Sequence, residues 1–267
     1  MLDTFGRNIN YLRISVTDRC NLHCRYCAPL DDAHLCAHDD ILSFERITEI
    51  AKVAVELGIN KIRLTGGEPL IRRNIVALVQ MLAAIDGIDD LAMTTNGLLL
   101  TKYAKDLKQA GLHRINVSLD TTDPKKFFAI TNGGNVFDVM VGIDAALDAG
   151  LVPLKLNCVV VKNFSTEQDI LSVKEYAASK GLEARFISLM DFKTGAFSRV
   201  EGGSGGDCKH CNRLRLLSNG NILPCLFSDT TFATKELGIR EALLQAIRHK
   251  PEKGMSCNQE CMRNIGG

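Results

Sequence analysis

An α/β fold made of repeated βα units is what this sequence predicts, and three observations predict it. Short β-branched runs recur along residues 11–189, amphipathic helical stretches separate them, and several of those stretches end on a glycine suited to a helix C-cap, namely Gly58, Gly111, Gly150 and Gly181. Strands separated by helices pair in parallel with right-handed crossovers.

The strand expectations are residues 12–16, 61–65, 91–95, 114–119, 154–161 and 184–189. Helical periodicity falls between them at 44–57, 74–85, 102–110, 136–149 and 166–180. Six parallel strands can form an open doubly wound sheet or an incomplete barrel. In both, ligands gather at the carboxyl ends of the strands. No G-x-G-x-x-G follows the first strand, which disfavours a dinucleotide-binding unit.

Composition narrows the class. With 267 residues and 46% hydrophobic side chains, the chain can bury a sizeable core, as one large domain or a domain with an appendage. A net charge of +1 points to neither nucleic acid nor membrane, and no apolar run has the length of a membrane span. The start, Met1-Leu2-Asp3-Thr4, does not read as a signal peptide, so a cytoplasmic location is expected. Ten cysteines in such a setting argue for metal ligation over disulfides.

The strand ends carry the candidate chemistry. After the first strand comes Cys20-x3-Cys24-x2-Cys27, one thiol short of the four that usually hold a cubane iron–sulfur cluster. Three thiolates leave one iron open to a small-molecule ligand. After the second strand, Gly66-Gly67-Glu68-Pro69 allows close backbone approach, and Glu68 could accept from an amine. Thr94, Thr95 and Asn96 close the third strand, and Ser118 and Asp120 the fourth. Arg13, Lys61, Arg63, Lys155 and Arg185 lie in or beside strands. Charges in buried parallel strands are costly unless they line a pocket for an anion such as a polyphosphate or polycarboxylate.

After residue 189 the texture changes to irregular chain. Gly202-Gly203-Ser204-Gly205-Gly206 reads as a flexible connector and also resembles an engineered linker. Then come Cys208-x2-Cys211 and, 13 residues on, Cys225, around strand-turn-strand texture that carries Arg213 and Arg215. These thiols could hold zinc, with His210 or another residue as fourth ligand, or a second iron–sulfur cluster. A helix is expected over 234–249, followed by Cys257-x3-Cys261 and a terminal Gly266-Gly267. The organisation expected is a core over 1–195, a connector over 196–206 and a C-terminal region over 207–267. Cys36, Cys158, Cys257 and Cys261 read as free cysteines.

The C-x3-C-x2-C motif with Tyr26 before its last cysteine, together with Gly66-Gly67-Glu68-Pro69, resembles the radical S-adenosylmethionine (SAM) enzymes. Within them the chain resembles the GTP 3',8-cyclases of molybdenum cofactor (molybdopterin) biosynthesis. The likeness runs through residues 12–21, 62–70, 94–97, 114–120 and 185–187, the Cys208, Cys211, Cys225 spacing, Arg213-x-Arg215 and the Ile265-Gly266-Gly267 end. The resemblance implies an incomplete (βα)6 TIM-type barrel with a small C-terminal iron–sulfur region. It implies a [4Fe–4S] cluster on Cys20, Cys24 and Cys27 that binds SAM and cleaves it to a 5'-deoxyadenosyl radical, and a second [4Fe–4S] cluster on Cys208, Cys211 and Cys225. Tyr26, Gly66, Gly67, Glu68, Ser118 and Met190 would contact SAM. Arg13, Lys61, Arg63, Thr94, Lys155, Arg185, Arg213 and Arg215 would bind GTP, and Gly266 and Gly267 would reach into the site as catalytic residues. An external one-electron donor is implied and a homodimer is compatible; neither nucleic acid nor membrane is an expected partner. The family's stretch between the sixth strand and the second cluster is longer than residues 190–207 here. That leaves an alternative: a related radical SAM enzyme acting on another nucleotide or a peptide. A non-catalytic iron–sulfur or zinc protein would have no use for the strand cations.

Overall fold

The computed structural model describes residues 1–27, 35–203, 205–258 and 262–265, with the backbone alone for Arg263 and Asn264. Six parallel strands form its core: β1 (Tyr11–Ser15), β2 (Lys61–Thr65), β3 (Asp90–Thr95), β4 (Arg114–Ser118), β5 (Leu154–Val160) and β6 (Glu183–Ser188). They are hydrogen-bonded in chain order. That strictly sequential order excludes the doubly wound alternative, whose strand order reverses at a switch point. It gives an open arc of a barrel, as the family resemblance implies.

The return segments are α1 (Phe44–Glu56), α2 (Ile75–Ala83), α3 (Leu100–Gln109), α4 (Pro124–Thr131), α5 (Val136–Asp148) and α6 (Glu167–Ser179). Side chains alternate along each strand. Leu12 and Ile14 of β1, and Ile62 and Leu64 of β2, are fully buried in the apolar core with helix residues such as Ile47, Ile50 and Leu78. Arg13, Lys61, Arg63 and Thr65 take the opposite phase and face the inside of the arc. The strand pleat therefore sorts apolar residues to the helix layer and polar ones to the concave face.

Helix α4 was not expected from periodicity. Its signal is Asp123-Pro124: Asp123 accepts a hydrogen bond from Lys126 N at 2.8 Å, and proline suits the first helical turn.

The C-terminal region continues the same sheet. β7 (Arg213–Leu216) pairs in parallel with β1, and β8 (Asn221–Leu223) and β9 (Phe232–Ala233) extend it antiparallel. The single helix expected over 234–249 is two helices, α7 (Thr234–Leu237) and α8 (Ile239–Arg248). Gly238 breaks them, with φ 79° and ψ 155°, a conformation a side chain rarely takes. The last described element is α9 (Met262–Ile265).

The segment 190–203 packs against the C-terminal tail through Phe192 and Gly195. Phe192 and Phe197 each meet Phe227 in a tilted contact, at centroid separations of 5.5 and 6.3 Å, and Cys257 N donates to Phe192 O. The glycines here serve close approach: a Cβ on Gly206 would lie 2.2 Å from Ser198 O. Among the described residues, no helix is long and apolar enough to cross a membrane.

Candidate active site

The concave face of the sheet encloses a cavity of about 560 Å3, within the ordinary range of small-molecule sites. Cys20, Cys24 and Cys27 line it beyond the carboxyl end of β1. Backbone holds their loop in place. His23 N and Arg25 N donate to Thr131 O and Ile130 O at the end of α4, and Cys27 N closes a turn onto Cys24 O. Asn96 braces the loop from β3, its amide donating to Asn21 Oδ1 at 2.7 Å. Burial and the neighbouring Cys27 and Cys20 push the Cys24 thiol well above its usual range. Three thiols gathered on one wall of the cavity are a donor set suited to iron. Among the described residues no three His, Cys, Asp or Glu side chains converge as they would around a single ion. A four-iron cluster asks for a wider arrangement, because each sulfur meets a different iron.

Gly66 and Gly67 line the cavity, yet their tightest neighbours are backbone. A Cβ on Gly67 would fall 2.1 Å from Arg19 O, and Gly67 N and Glu68 N donate to Thr17 O and Arg19 O. The glycines let the end of β2 lie against the chain that leads into Cys20.

Glu68 does not line the cavity. Its carboxylate is buried and accepts from Leu70 N, Thr95 Oγ1 and Asn96 N at 2.9, 2.7 and 2.7 Å. It ties β2 to β3 instead of facing a ligand amine. Burial lifts its pKa to about 7, against hydrogen bonds that favour the anion. The unfolded carboxyl titrates near 4.5, so the folded chain holds a proton that the unfolded chain has released between 4.5 and 7. That contribution to stability is complete below pH 4.5 and is lost as the pH rises through 7. In urea unfolding of the metal-free protein, the wild type is expected to lose about 2–3 kcal/mol more than Glu68→Gln between these limits.

Tyr26, Ser118 and Met190 line the cavity near the cysteines. Tyr26 donates its hydroxyl to Asp120 Oδ2 at 2.5 Å, and Asp120 also accepts from Val159 N at 2.8 Å. Burial lifts the Asp120 carboxyl to about 6. Asp120 is thus a positioning residue for Tyr26. It was legible in the sequence only as a polar strand end.

The cations form the opposite part of the wall. Register places Arg215 of β7, Arg13 of β1 and Arg63 of β2 side by side on three adjacent strands. Arg215 and Arg63 are 8% and 6% exposed. Burial, then repulsion from Arg215, drives the Arg13 pKa well down, and burial with repulsion from Arg213 takes Arg215 to about 10. Arg63 Nη1 donates to Thr94 Oγ1 at 3.3 Å. Among the described residues, Arg63 Nε and Asn116 Oδ1 are buried without a hydrogen-bond partner, and both residues line the cavity. Such orphaned groups fit a polar ligand between them. Lys61, Arg213, Lys155 and Arg185 also line the cavity. The last two share Glu183, at 2.5 and 3.0 Å. Tyr11, Asp90, Arg114, Asn116 and Asn157 complete the polar lining. Sequence reasoning missed them, although all but Tyr11 and Asp90 lie in expected strands.

Cys211 and Cys225 stand just behind this wall, each next to a residue that forms it, Asn212 and Leu226. They are close enough for each other's charge to matter, and Cys208 joins them through a short turn closed by Cys211 N onto Cys208 O. His210 is exposed and bonded to Asp207 at 3.0 Å, turned away from the role of a fourth ligand. Among the remaining cysteines, Cys158 is buried against Asp120 O, Cys257 is buried in the satellite core, and Cys36 is half-buried. None of the nine described cysteines forms a disulfide with another described residue; Cys261 lies outside the described residues, as do Gly266 and Gly267. The chain just before them is held in the site. Arg215 donates to Ile265 O at 3.0 Å and Met262 N to Cys27 O at 2.8 Å.

Comparison with known proteins gives one picture. Residues 14–176 match the family model described as the radical SAM superfamily. The chain is 43% identical to the GTP 3',8-cyclase of Moorella thermoacetica and 41% identical to that of Thermodesulfovibrio yellowstonii, each over the full length of both chains. It is 39% identical to the GTP 3',8-cyclase of Peptoclostridium acidaminophilum, over 95% of this chain and 93% of that one. The Thermodesulfovibrio alignment spans 327 positions against 267 residues, so at least 60 positions of that relative have no counterpart here. Among solved structures, Streptococcus suis SuiB bound to precursor peptide SuiA superposes with TM-score 0.68 at 17% identity, over 92% of this chain and 66% of that one. Native anSMEcpe with bound AdoMet gives 0.62 at 16% identity, over 91% and 81%. At these identities the structures speak to the fold alone.

Proposed function

The chain belongs to the radical SAM superfamily and, within it, to the GTP 3',8-cyclase family, and from that premise we propose that its cavity binds GTP and cyclises it to (8S)-3',8-cyclo-7,8-dihydroguanosine 5'-triphosphate for molybdenum cofactor synthesis. The observation that carries this reading is the row Arg215, Arg13, Arg63 in register on three buried strands. Like charges held together away from water are costly, and a polyanion offsets that cost. A triphosphate carries charge of the right sign and extent, and arginine suits phosphate because its guanidinium bonds two oxygens at once.

In this reading Cys20, Cys24 and Cys27 hold a [4Fe–4S] cluster, and the bound cluster with SAM supplies the hydrogen-abstracting radical when an external donor delivers one electron. Cys208, Cys211 and Cys225 are proposed to hold a second [4Fe–4S] cluster on the guanine side. Tyr26, fixed by Asp120, forms the SAM wall with Gly66, Gly67, Ser118 and Met190. Thr94 orients Arg63, while Lys61 and Arg213, two residues earlier on their strands, extend the cationic wall towards the strand starts. Lys155 and Arg185 can exchange Glu183 for phosphate. The role of the protein is to bind, orient and exclude water. Gly266 and Gly267 are proposed to complete the site, because the bond from Arg215 to Ile265 O holds the preceding chain at the arginine row. The row also favours a nucleotide triphosphate over a peptide, which has no such density of charge.

The binding test uses anaerobically reconstituted protein without reductant, titrated with GTP and with guanosine. Two or more charge-assisted hydrogen bonds predict that GTP binds about 100-fold tighter or more. Equal affinity for the two would refute the triphosphate assignment.

A further inference from the structure

Lys250 follows α8 and is the largest of the fully buried side chains, at 2% exposure. Its ammonium donates to Arg213 O at 2.7 Å and to Pro224 O at 2.8 Å. Those carbonyls belong to the two segments that carry cysteines: Arg213 lies two residues after Cys211, and Pro224 immediately precedes Cys225. The Cys211 sulfur is within hydrogen-bonding reach of the same ammonium, and Cys225 is close enough to favour its charged form. Carbonyl oxygens satisfy N–H groups but do not neutralise a cation. No carboxylate is among the described hydrogen-bond partners of Lys250.

Its neighbour Arg7 shows the contrast. Arg7 also reaches this loop, donating to Cys208 O at 2.9 Å and to Pro251 O at 2.7 Å, but its charge is met by Asp3 at 2.6 Å. Arg7 is therefore internally neutralised scaffolding. A buried ammonium with only carbonyls around it is costly, because its charge is not neutralised. The groups beside Lys250 that can carry negative charge are the sulfurs of Cys211 and Cys225.

We propose that Lys250 is the internal counter-ion and clamp of the Cys208, Cys211, Cys225 metal site, a positioning residue that holds the two cysteine segments at fixed separation and places positive charge against their thiolates. This rests on the reading of those cysteines as a second cluster site. Positive charge and N–H donors near cluster sulfurs stabilise the reduced form and so raise the reduction potential. Outer-shell partners of this kind are worth about 10–100-fold in metal affinity.

The test compares wild type, Lys250→Met and Lys250→Arg after anaerobic reconstitution. It reads iron and sulfide content, a redox titration followed by electron paramagnetic resonance, and iron loss to a chelator. Wild type is expected to carry two clusters; a wild type that holds one overturns the second-cluster reading itself, and the role of Lys250 with it. With two clusters present, Lys250→Met is expected to keep the first at wild-type content. Its second cluster should be lost to chelator about tenfold faster or more and, where it persists, show a more negative potential. Lys250→Arg should move both readouts back toward wild type. A Lys250→Met protein with wild-type potential and chelator resistance at both clusters would overturn the proposal, as would equal damage in the Met and Arg variants. If Lys250→Met loses the first cluster too, Lys250→Gln carries the same expectation, and an undisturbed second cluster there is equally fatal.

Discussion

Replacing Arg13 by methionine is expected to weaken GTP binding about 10–100-fold while leaving the stability of the metal-free protein unchanged or higher. The two effects have one cause. Arg13 sits on β1 between Arg63 and Arg215, its guanidinium desolvated and repelled from both sides. Adjacent strands lie about 4.8 Å apart, so the repulsion is built into the register. Methionine fills much of the same volume without charge and relieves it. When the triphosphate binds, the same guanidinium provides charge-assisted bonds that methionine lacks. Titration with GTP and thermal unfolding of the metal-free chain read the two halves separately. Unchanged GTP affinity, or a melting temperature lowered by several degrees, would show that Arg13 is a structural residue.

Gly67→Ala is expected to remove the first cluster and to cost about 3 kcal/mol of stability. A methyl group there would sit 2.1 Å from Arg19 O, with Arg19 C and Asp18 C also within van der Waals contact. These are backbone atoms of the segment that enters Cys20. They are pinned by the hydrogen bonds from Gly67 N and Glu68 N and by the Asp18–Arg19 ion pair at 3.0 Å. The strain therefore has to displace the loop that presents the three thiols. Iron analysis should show the first cluster lost and, with Cys208, Cys211 and Cys225 holding the proposed second cluster, the remaining iron retained. Full occupancy at Cys20, Cys24 and Cys27 with wild-type stability would mean that the loop yields freely.

The sheet was legible because buried parallel strands are written as β-branched runs, and all six core strands fall where those runs lie. Alternation puts Lys61 and Arg63 on one face, and the cost of burying strand charges without an anion is what points them, with Arg13, into a pocket. What alternation does not reveal is which strands become neighbours, so the arginine row needed β7 to be placed beside β1, a pairing 202 residues apart in sequence. Glu68 was read as facing a ligand because Gly-Gly-Glu-Pro ends a strand; its carboxylate turned out to be consumed by β3. Helix α4 escaped because its 8 residues make little more than two turns, too few for a helical period to show, although its last carbonyls hold the cysteine loop. Lys250 gave no signal at all. A single lysine after a helix normally points to solvent, and only the packing of α8 against the sheet makes it an interior charge.

The segment 190–203, with Gly205 and Gly206, builds part of the cavity wall. Its aromatic residues join Phe227 and the tail, and Phe197, Val200, Gly203 and Gly205 supply cavity wall. The glycines are needed there for contact: a Cβ on Gly205 would lie 2.7 Å from Val200.

The central claim is that one cavity joins radical generation at Cys20, Cys24 and Cys27 to a triphosphate held by Arg215, Arg13 and Arg63. The most direct measurement is anaerobic incubation of the reconstituted protein with SAM and a one-electron reductant, with and without GTP, followed by chromatography of 5'-deoxyadenosine and the nucleotide product. The account expects deoxyadenosine to accumulate in step with a cyclised guanosine triphosphate, and only when GTP is present. Deoxyadenosine formed at the same rate without GTP, with no cyclised nucleotide, would contradict it.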